Sequence, residues 1–350
     1  MRMRAPLAVA FAVLGSMAAA TAVAQPVAVK STYTYANVKG VALKADVYST
    51  ATSSYGQRRP AVVFVHGGGW TCGNRDAFLG WPRHLAETYG VVAITVSYRL
   101  APVTDAVLGV DGRIAYPGTI DGCGVDTAPT DDLGLPANRA PFPAQIEDLR
   151  KFMWQLRTHA DALQVDRHRI AVVGASAGGH LAGALGAVDS VPPLLPAGLA
   201  APEVYSRPNA LVSISGPWNL ATTALPDGSA PGILRNLFGG ESSVAQREAA
   251  SPTSYLPGTF SPLSGHPFPS TLFIHGETDG LVPKEQSIEA CARMTTACAG
   301  GQPLLVSTPV APVWVDPHDT LYLLQQRYSA FIAFLAQTIA APSPPPPGNH

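Results

Sequence analysis

Short apolar runs and longer helix-patterned stretches take turns along about 250 of the 350 residues, and this alternation constrains the fold more than any other feature of the chain. Ala61–His66 (AVVFVH) and Val91–Val96 (VVAITV) are apolar at nearly every position, the pattern of strands covered on both faces. Ile170–Val173, Leu211–Ile214 and Thr271–His275 repeat it. Among them, Ala144–Leu163 carries Ile146, Leu149, Phe152, Met153 and Leu156 at helical spacing, and Ala177–Val188 is small and apolar, suited to a buried helix. Further on, Pro283–Met294 reads as a helix, Pro303–Thr308 as extended, and Thr320–Ile339 as one long closing helix. Strands that alternate with helices pair in parallel, because each crossover returns the chain to the same end of the sheet. Val27–Tyr35 and Val41–Tyr48 follow one another without a helix and predict an antiparallel start. The expectation is an α/β fold with a mostly parallel central sheet flanked by helices.

Two segments interrupt the alternation. Residues 103–141 are loop-like, with six Asp, no Glu and two Arg, and 217–269 are rich in Pro, Gly and Ser with one short helical piece around Ile233–Phe238. Long loops in a compact domain are usually functional or disordered; flanking the motifs as they do, both read as walls or a lid over a site. The acidic loop lacks the spacing of an EF-hand and reads as a solvated face rather than a calcium site.

The N-terminus reads as an export leader. Arg2 and Arg4 precede an uncharged, Ala-rich stretch that ends Ala22-Val23-Ala24, an A-x-A pattern that places cleavage after Ala24. The alternative is a membrane anchor, but the stretch is only weakly hydrophobic, and no stable anchor is expected. The organisation is thus a leader over 1–24, one domain over 25–340, and a Pro-rich tail over 341–350. Export places the chain in a secreted or periplasmic, oxidising compartment, where four cysteines suggest disulfides. Proximity favours Cys291–Cys298, leaving Cys72–Cys123; four buried free thiols are the alternative. Residues seven apart on an intact helix lie about 10.5 Å apart, too far to bridge, so a helix must break between Cys291 and Cys298. With 23 Lys and Arg against 24 Asp and Glu, the chain has no basic excess to hold a nucleic acid.

The chemistry-bearing residues sit where strands end. Gly174-Ala175-Ser176-Ala177-Gly178 is a G-x-S-x-G sequence between a strand and a helix, the context in which a sharp turn lifts a Ser hydroxyl clear of a sheet. Ser176 is the expected nucleophile. His66-Gly67-Gly68-Gly69-Trp70 follows another strand; its amides can approach a ligand because no Cβ blocks them. An oxyanion hole is assigned to the amides of Gly67 or Gly68 with that of Ala177. The base and orienting acid follow in chain order: Asp279, in the loop after Thr271–His275, as acid, and His318, before the last helix, as base. Glu277 is the fallback acid. His66, His180 and His275 read as structural, and Asp319 as a helix cap.

These motifs resemble the esterase and lipase branch of the α/β-hydrolases, of the hormone-sensitive-lipase-like and BD-FAE-like (acetyl and feruloyl esterase) kind. The matching segments are His66–Trp70, Ser97-Tyr98-Arg99-Leu100-Ala101-Pro102, Phe142-Pro143-Ala144-Gln145-Ile146-Glu147-Asp148, Gly174–His180, Arg247-Glu248-Ala249-Ala250-Ser251-Pro252 and the Asp279 loop. The resemblance implies an α/β-hydrolase fold and a serine carboxylic-ester hydrolase with Ser176, Asp279 and His318 as triad, a structural Arg99, and no metal or organic cofactor. The implied substrate is a small-molecule or polymer-linked ester, of short acyl chain since no large hydrophobic lid is visible. Two departures stand out: 39 residues intervene between Pro102 and Phe142, where such enzymes use a few, and 39 positions separate Asp279 from His318, slightly more than is usual. A Cys72–Cys123 bridge would pin the longer insertion beside the glycine loop. The competing readings are an amidase or exopeptidase of the prolyl-oligopeptidase kind, and a non-catalytic binding protein on the same fold.

Overall fold

The computed structural model describes residues 26–38, 40–51, 58–102, 107–108, 114–115, 139–187, 206–222, 230–256, 268–294, 296–307 and 316–340. The leader 1–24, the tail 341–350, Cys123 and much of both interrupting segments lie outside the described residues. In chain order the elements are β1 (Val29–Val38), β2 (Val41–Ser49), β3 (Arg59–Val65), α1 (Trp81–Tyr89), β4 (Val92–Val96), β5 (Val107–Leu108) and β6 (Ile114–Ala115). There follow α2 (Ala144–Thr158), β7 (Val165–Ala175), α3 (Ala177–Ala187), β8 (Ala210–Ile214), α4 (Ala230–Phe238), α5 (Val244–Ala250) and β9 (Ser270–Gly276). The chain closes with α6 (Glu285–Arg293), β10 (Leu304–Val306), α7 (Thr320–Gln326) and α8 (Tyr328–Leu335).

Eight strands form one sheet in the order β1-β2-β4-β3-β7-β8-β9-β10. β1 and β2 pair antiparallel, as do β2 and β4, and every pairing from β4 to β10 is parallel. Side chains alternate across the sheet, so each central strand feeds two cores. Ala61, Val63 and Val65 of β3 join a cluster with Ile146, Leu149 and Met153 of α2 and Leu181 of α3. Val62 and Phe64 join the opposite cluster with Leu85 of α1, Leu323 of α7 and Phe331 of α8. From β3 the chain passes through α1 to β4 on one side; from β7 it passes through α3 to β8 on the other. The gap between the carboxyl ends of β3 and β7 is therefore the topological switch point, where sheets of this kind open a crevice.

Four details depart from the sequence expectation. α1 was not anticipated; it is what allows β3 and β4 to run parallel. The helix begun at Ala144 ends at Thr158, and Gln164, at φ 55°, turns the chain into β7. The segment 217–269 holds two α-helices rather than one short piece, and the second, α5, is started by a capping box between Ser243 and Gln246. The closing helix is two helices, interrupted at Arg327 (φ −112°, ψ 22°), whose guanidinium donates to the Leu305 carbonyl of β10.

The antiparallel start, the parallel centre and the Cys291–Cys298 disulfide are as expected. α6 stops at Arg293, which brings the two Cα atoms to 5.2 Å. Cys72 is disulfide-bonded as well, and Cys123, its expected partner, lies outside the described residues. Arg99, just past β4, grips Asp148 of α2 with two side-chain bonds of 2.8 Å, while its backbone N–H donates to the same carboxylate. That buried fork ties the Ser97–Pro102 segment to the Phe142–Asp148 segment.

Candidate active site

Ser176 stands at the carboxyl end of β7 with φ 52°, a left-handed backbone that a side chain adopts only under constraint. Its N–H donates to the Ile214 carbonyl of β8 at 2.8 Å, and α3 begins at the next residue. The turn fits because its neighbours lack side chains. A Cβ at Gly178 would lie 2.1 Å from the Val65 carbonyl oxygen, so α3 enters directly over the end of β3. A Cβ at Gly67 would lie 3.0 Å from the Ser176 Cβ. The glycine loop after β3 and the serine after β7 thus close on each other at the switch point.

The amides assigned to an oxyanion hole are on this seam. Those of Gly67 and Gly68 donate to no described residue, and Ala177, at the first position of α3, has no carbonyl one turn earlier within its helix to bond. The loop closes on itself through Thr71 and Cys72, whose N–H groups donate to the Gly68 carbonyl at 3.0 Å. At its far end, Arg75 Nε donates to the buried Asp46 Oδ2 at 3.0 Å and Arg75 Nη1 to Ser97 Oγ at 2.6 Å. His66 stacks on Tyr98, ring centroids 4.3 Å apart, and the Tyr98 hydroxyl donates to the His66 carbonyl. It braces the loop, in keeping with a structural reading.

Asp279 lies two strands away from Ser176, in the loop after β9. Its Oδ1 accepts from the N–H groups of Leu281 and Val282, each at 2.9 Å, and its Oδ2 lies 2.7 Å from His318 Nδ1. A carboxylate only accepts, so Nδ1 carries the proton and Nε2 is left with a lone pair. The loop bearing His318 passes over the end of β9: a Cβ at Gly276 would meet the Pro317 carbonyl oxygen at 1.9 Å. Nε2 is buried and has no hydrogen-bond partner among the described residues, so the histidine is joined to Asp279 but not to Ser176. Catalytic hydrogen bonds of this kind often tighten only around a substrate. Burial pushes the Asp279 carboxyl up, but hydrogen bonds from His275 and His318 outweigh it and hold the group well below the usual carboxylate range.

His275 proves more than core filling. Its Nε2 lies 2.8 Å from the Val282 carbonyl and 3.4 Å from Asp279 Oδ2, and its Nδ1 lies 2.7 Å from Ser287 Oγ. It therefore clips the Asp279 loop to the start of α6. Glu277, the fallback acid, is turned aside to accept from Ser307 Oγ. Asp319 caps α7 by accepting from Leu321 and Tyr322. Sequence reasoning did not find the Arg75–Asp46 tie, nor the pairing of Trp70 with His180 described below. Among the described residues, no group of three or more His, Cys, Asp or Glu side chains is placed to hold a metal ion.

Comparison with known proteins agrees with this architecture. Residues 62–111 match the model of the family described as the alpha/beta hydrolase fold, and residues 136–294 match the BD-FAE family model. The chain has the α/β-hydrolase fold. The two matched regions carry the glycine loop, Ser176 and Asp279 between them, while His318 falls beyond both.

Among similar α/β-hydrolases, an AB hydrolase superfamily protein of Schizosaccharomyces pombe is 27% identical over 208 residues, 57% of this chain and 50% of that protein. The ethyl acetate hydrolase of Pseudomonas putida is 32% identical over 125 residues, 35% of this chain and 27% of its own. The chain spans half or less of the length of these curated relatives. In three dimensions it resembles esterase 2 of Thermogutta terrifontis, with a TM-score of 0.60 at 23% identity, covering 90% of this chain and 95% of that one. The same esterase phosphonylated by sarin gives a TM-score of 0.61 at 23% identity, covering 89% of this chain and 97% of that one.

Proposed function

We propose that this α/β-hydrolase is an exported serine carboxylic-ester hydrolase acting on short-acyl esters. The reading rests above all on one juxtaposition: a strained Ser176 pressed against the glycine loop, where the amides of Gly67 and Gly68 have no described partner. Ser176 Oγ attacks the ester carbonyl while His318 Nε2 takes its proton. The carbonyl oxygen, now negative, is held by the amides of Ala177 and of Gly67 or Gly68. His318 returns the proton to the departing alcohol, and the C–O bond of the ester breaks. Water, deprotonated by the same nitrogen, then attacks the acyl-enzyme, and Ser176 leaves with the proton. Asp279 fixes the tautomer that leaves Nε2 free and stabilises the imidazolium formed in each half. The substrate class draws support from the relative named for ethyl acetate hydrolysis.

Steady-state hydrolysis of p-nitrophenyl esters of increasing chain length, beside the matched anilide, tests the reading. Turnover should be greatest for acetate to butyrate, small for the anilide, and lost in Ser176→Ala together with labelling by a fluorophosphonate. A Ser176→Ala variant that still turns over ester would end it. Export is supported by the leader pattern and the disulfides of Cys291–Cys298 and Cys72. The N-terminal residue of protein recovered from outside the cytoplasm should be Gln25; an N-terminus left at the initiating methionine would remove this part of the proposal.

A further inference from the structure

Three consecutive residues of the glycine loop have positive φ: Gly68 at 104°, Gly69 at 53° and Trp70 at 62°. Glycine takes such values without steric cost, but a tryptophan does not, so Trp70 must be held. Its side chain is buried, its carbonyl accepts from the Ala101 N–H at 2.8 Å, and its indole Nε1 donates to His180 Nδ1 at 3.2 Å. The two rings meet edge to face, centroids 5.3 Å apart.

His180 sits one turn into α3, where its N–H donates to the Ser176 carbonyl at 3.1 Å. Its ring is fully buried, and Nε2 lies 2.8 Å from the Ala250 carbonyl at the end of α5. A carbonyl only accepts, so Nε2 carries the proton, and Nδ1 presents the lone pair that the indole requires. One imidazole therefore joins three elements: the glycine loop, the nucleophile helix and α5. Burial pushes this ring down to about 4, despite the Ala250 hydrogen bond, so it stays neutral under ordinary conditions.

We propose that His180 is a positioning residue: through Trp70 it fixes the left-handed stretch of the glycine loop, so that the amides of Gly67 and Gly68 remain aimed at the acyl oxygen of an ester bound at Ser176. The inference rests on the ester-hydrolase reading above. Donors of this kind act only if they are already in place when negative charge develops. The Thr71 and Cys72 N–H groups close the loop behind Gly68, while the buried indole–imidazole contact ties its left-handed stretch to the nucleophile's own helix.

Four variants test this. Trp70→Phe deletes the indole N–H and keeps an aromatic ring. His180→Phe deletes both ring nitrogens. Trp70→Phe/His180→Phe combines them, and His180→Gln offers an amide with one acceptor and one donor. Each is assayed for p-nitrophenyl acetate turnover beside a thermal melt. The expected result is a fall in kcat of about ten- to a hundredfold in each single Phe variant, with KM within about twofold. The double variant should be no slower than the slower single one, and Gln should recover most of the loss. Folded single variants with unchanged kcat, or losses that multiply in the double variant, would overturn the proposal and leave His180 a packing residue. If His180→Phe does not fold, Trp70→Phe decides the matter alone. Failure here is separable from failure of the ester reading, because the latter shows as residual turnover in Ser176→Ala.

Discussion

In the proposed mechanism, the carboxylate behind the histidine base is useful only while it is charged, and the contacts of Asp279 keep it so. Two backbone N–H groups and His318 donate to it, with His275 Nε2 close by, and their sum outweighs the burial that would otherwise protonate it. Asp279→Asn keeps the size but lets an amide stand beside Nδ1, which favours the wrong tautomer. It should lower kcat by about 10²- to 10⁴-fold with little change in KM, read from steady-state kinetics; an unchanged kcat would remove Asp279 from the triad. His180 gives a second expectation at the same scale, in stability rather than rate. Its folded value of about 4 lies below the ordinary imidazole value of 6.5, so between those limits the unfolded chain binds the extra proton. The stability this ring contributes is complete above pH 6.5 and is lost as pH falls towards 4, an effect on the order of 3 kcal/mol. In His180→Gln the fall of the urea midpoint between pH 7 and pH 4.5 should be shallower than in the parent; an identical slope would refute the assignment. Ser176 was legible in the sequence because an elbow is a local device, spelled out in five adjacent residues. The contact between Asp279 and His318 follows the expected chain order. The Trp70–His180 contact was not, because it joins residues 110 positions apart through two side chains, and no spacing rule reaches that far.

At the scale of elements, the strands were easiest to read and the helix limits hardest. Central strands of a parallel sheet are buried on both faces and so stand out as apolar runs. α1 escaped notice because only Pro82, Leu85 and Ala86 of its nine residues are buried, too few to mark a period. The break at Arg327 escaped for a different reason: the residue is a good helix former, and what stops the helix is a carbonyl on a distant strand. The Arg99–Asp148 fork is the clearest tie between elements, joining the end of β4 to α2 and thereby framing the glycine loop from behind. Removing one partner leaves the other charge buried and alone, so Arg99→Ala should destabilise the protein by about 3–5 kcal/mol in chemical denaturation. A loss below about 1 kcal/mol would mean that the pair is merely tolerated. Replacing both partners with apolar residues of similar volume should cost less than that single change.

Across the whole molecule, the proposed catalytic parts come from both sides of the switch point: the glycine loop from β3, Ser176 from β7, Asp279 from the loop after β9 and His318 from the loop before α7. The sheet holds them in register, and the two interrupting segments follow the carboxyl ends of β4 and β8. The first of these is moored tightly at its ends. Ala140 N–H donates to the Leu100 carbonyl at 2.9 Å, and Arg139 reaches the carbonyls of Ala101 and Thr71 at 2.7 and 2.8 Å. The chain therefore returns beside the point where it left. For a flexible loop, doubling or halving its length changes the closure entropy by only about 0.6 kcal/mol. On the proposed ester-hydrolase reading, an insertion fastened in this way is an exchangeable cassette: evolution, or a designer, could trade it for another of different length and chemistry while keeping the frame between Leu100 and Ala140.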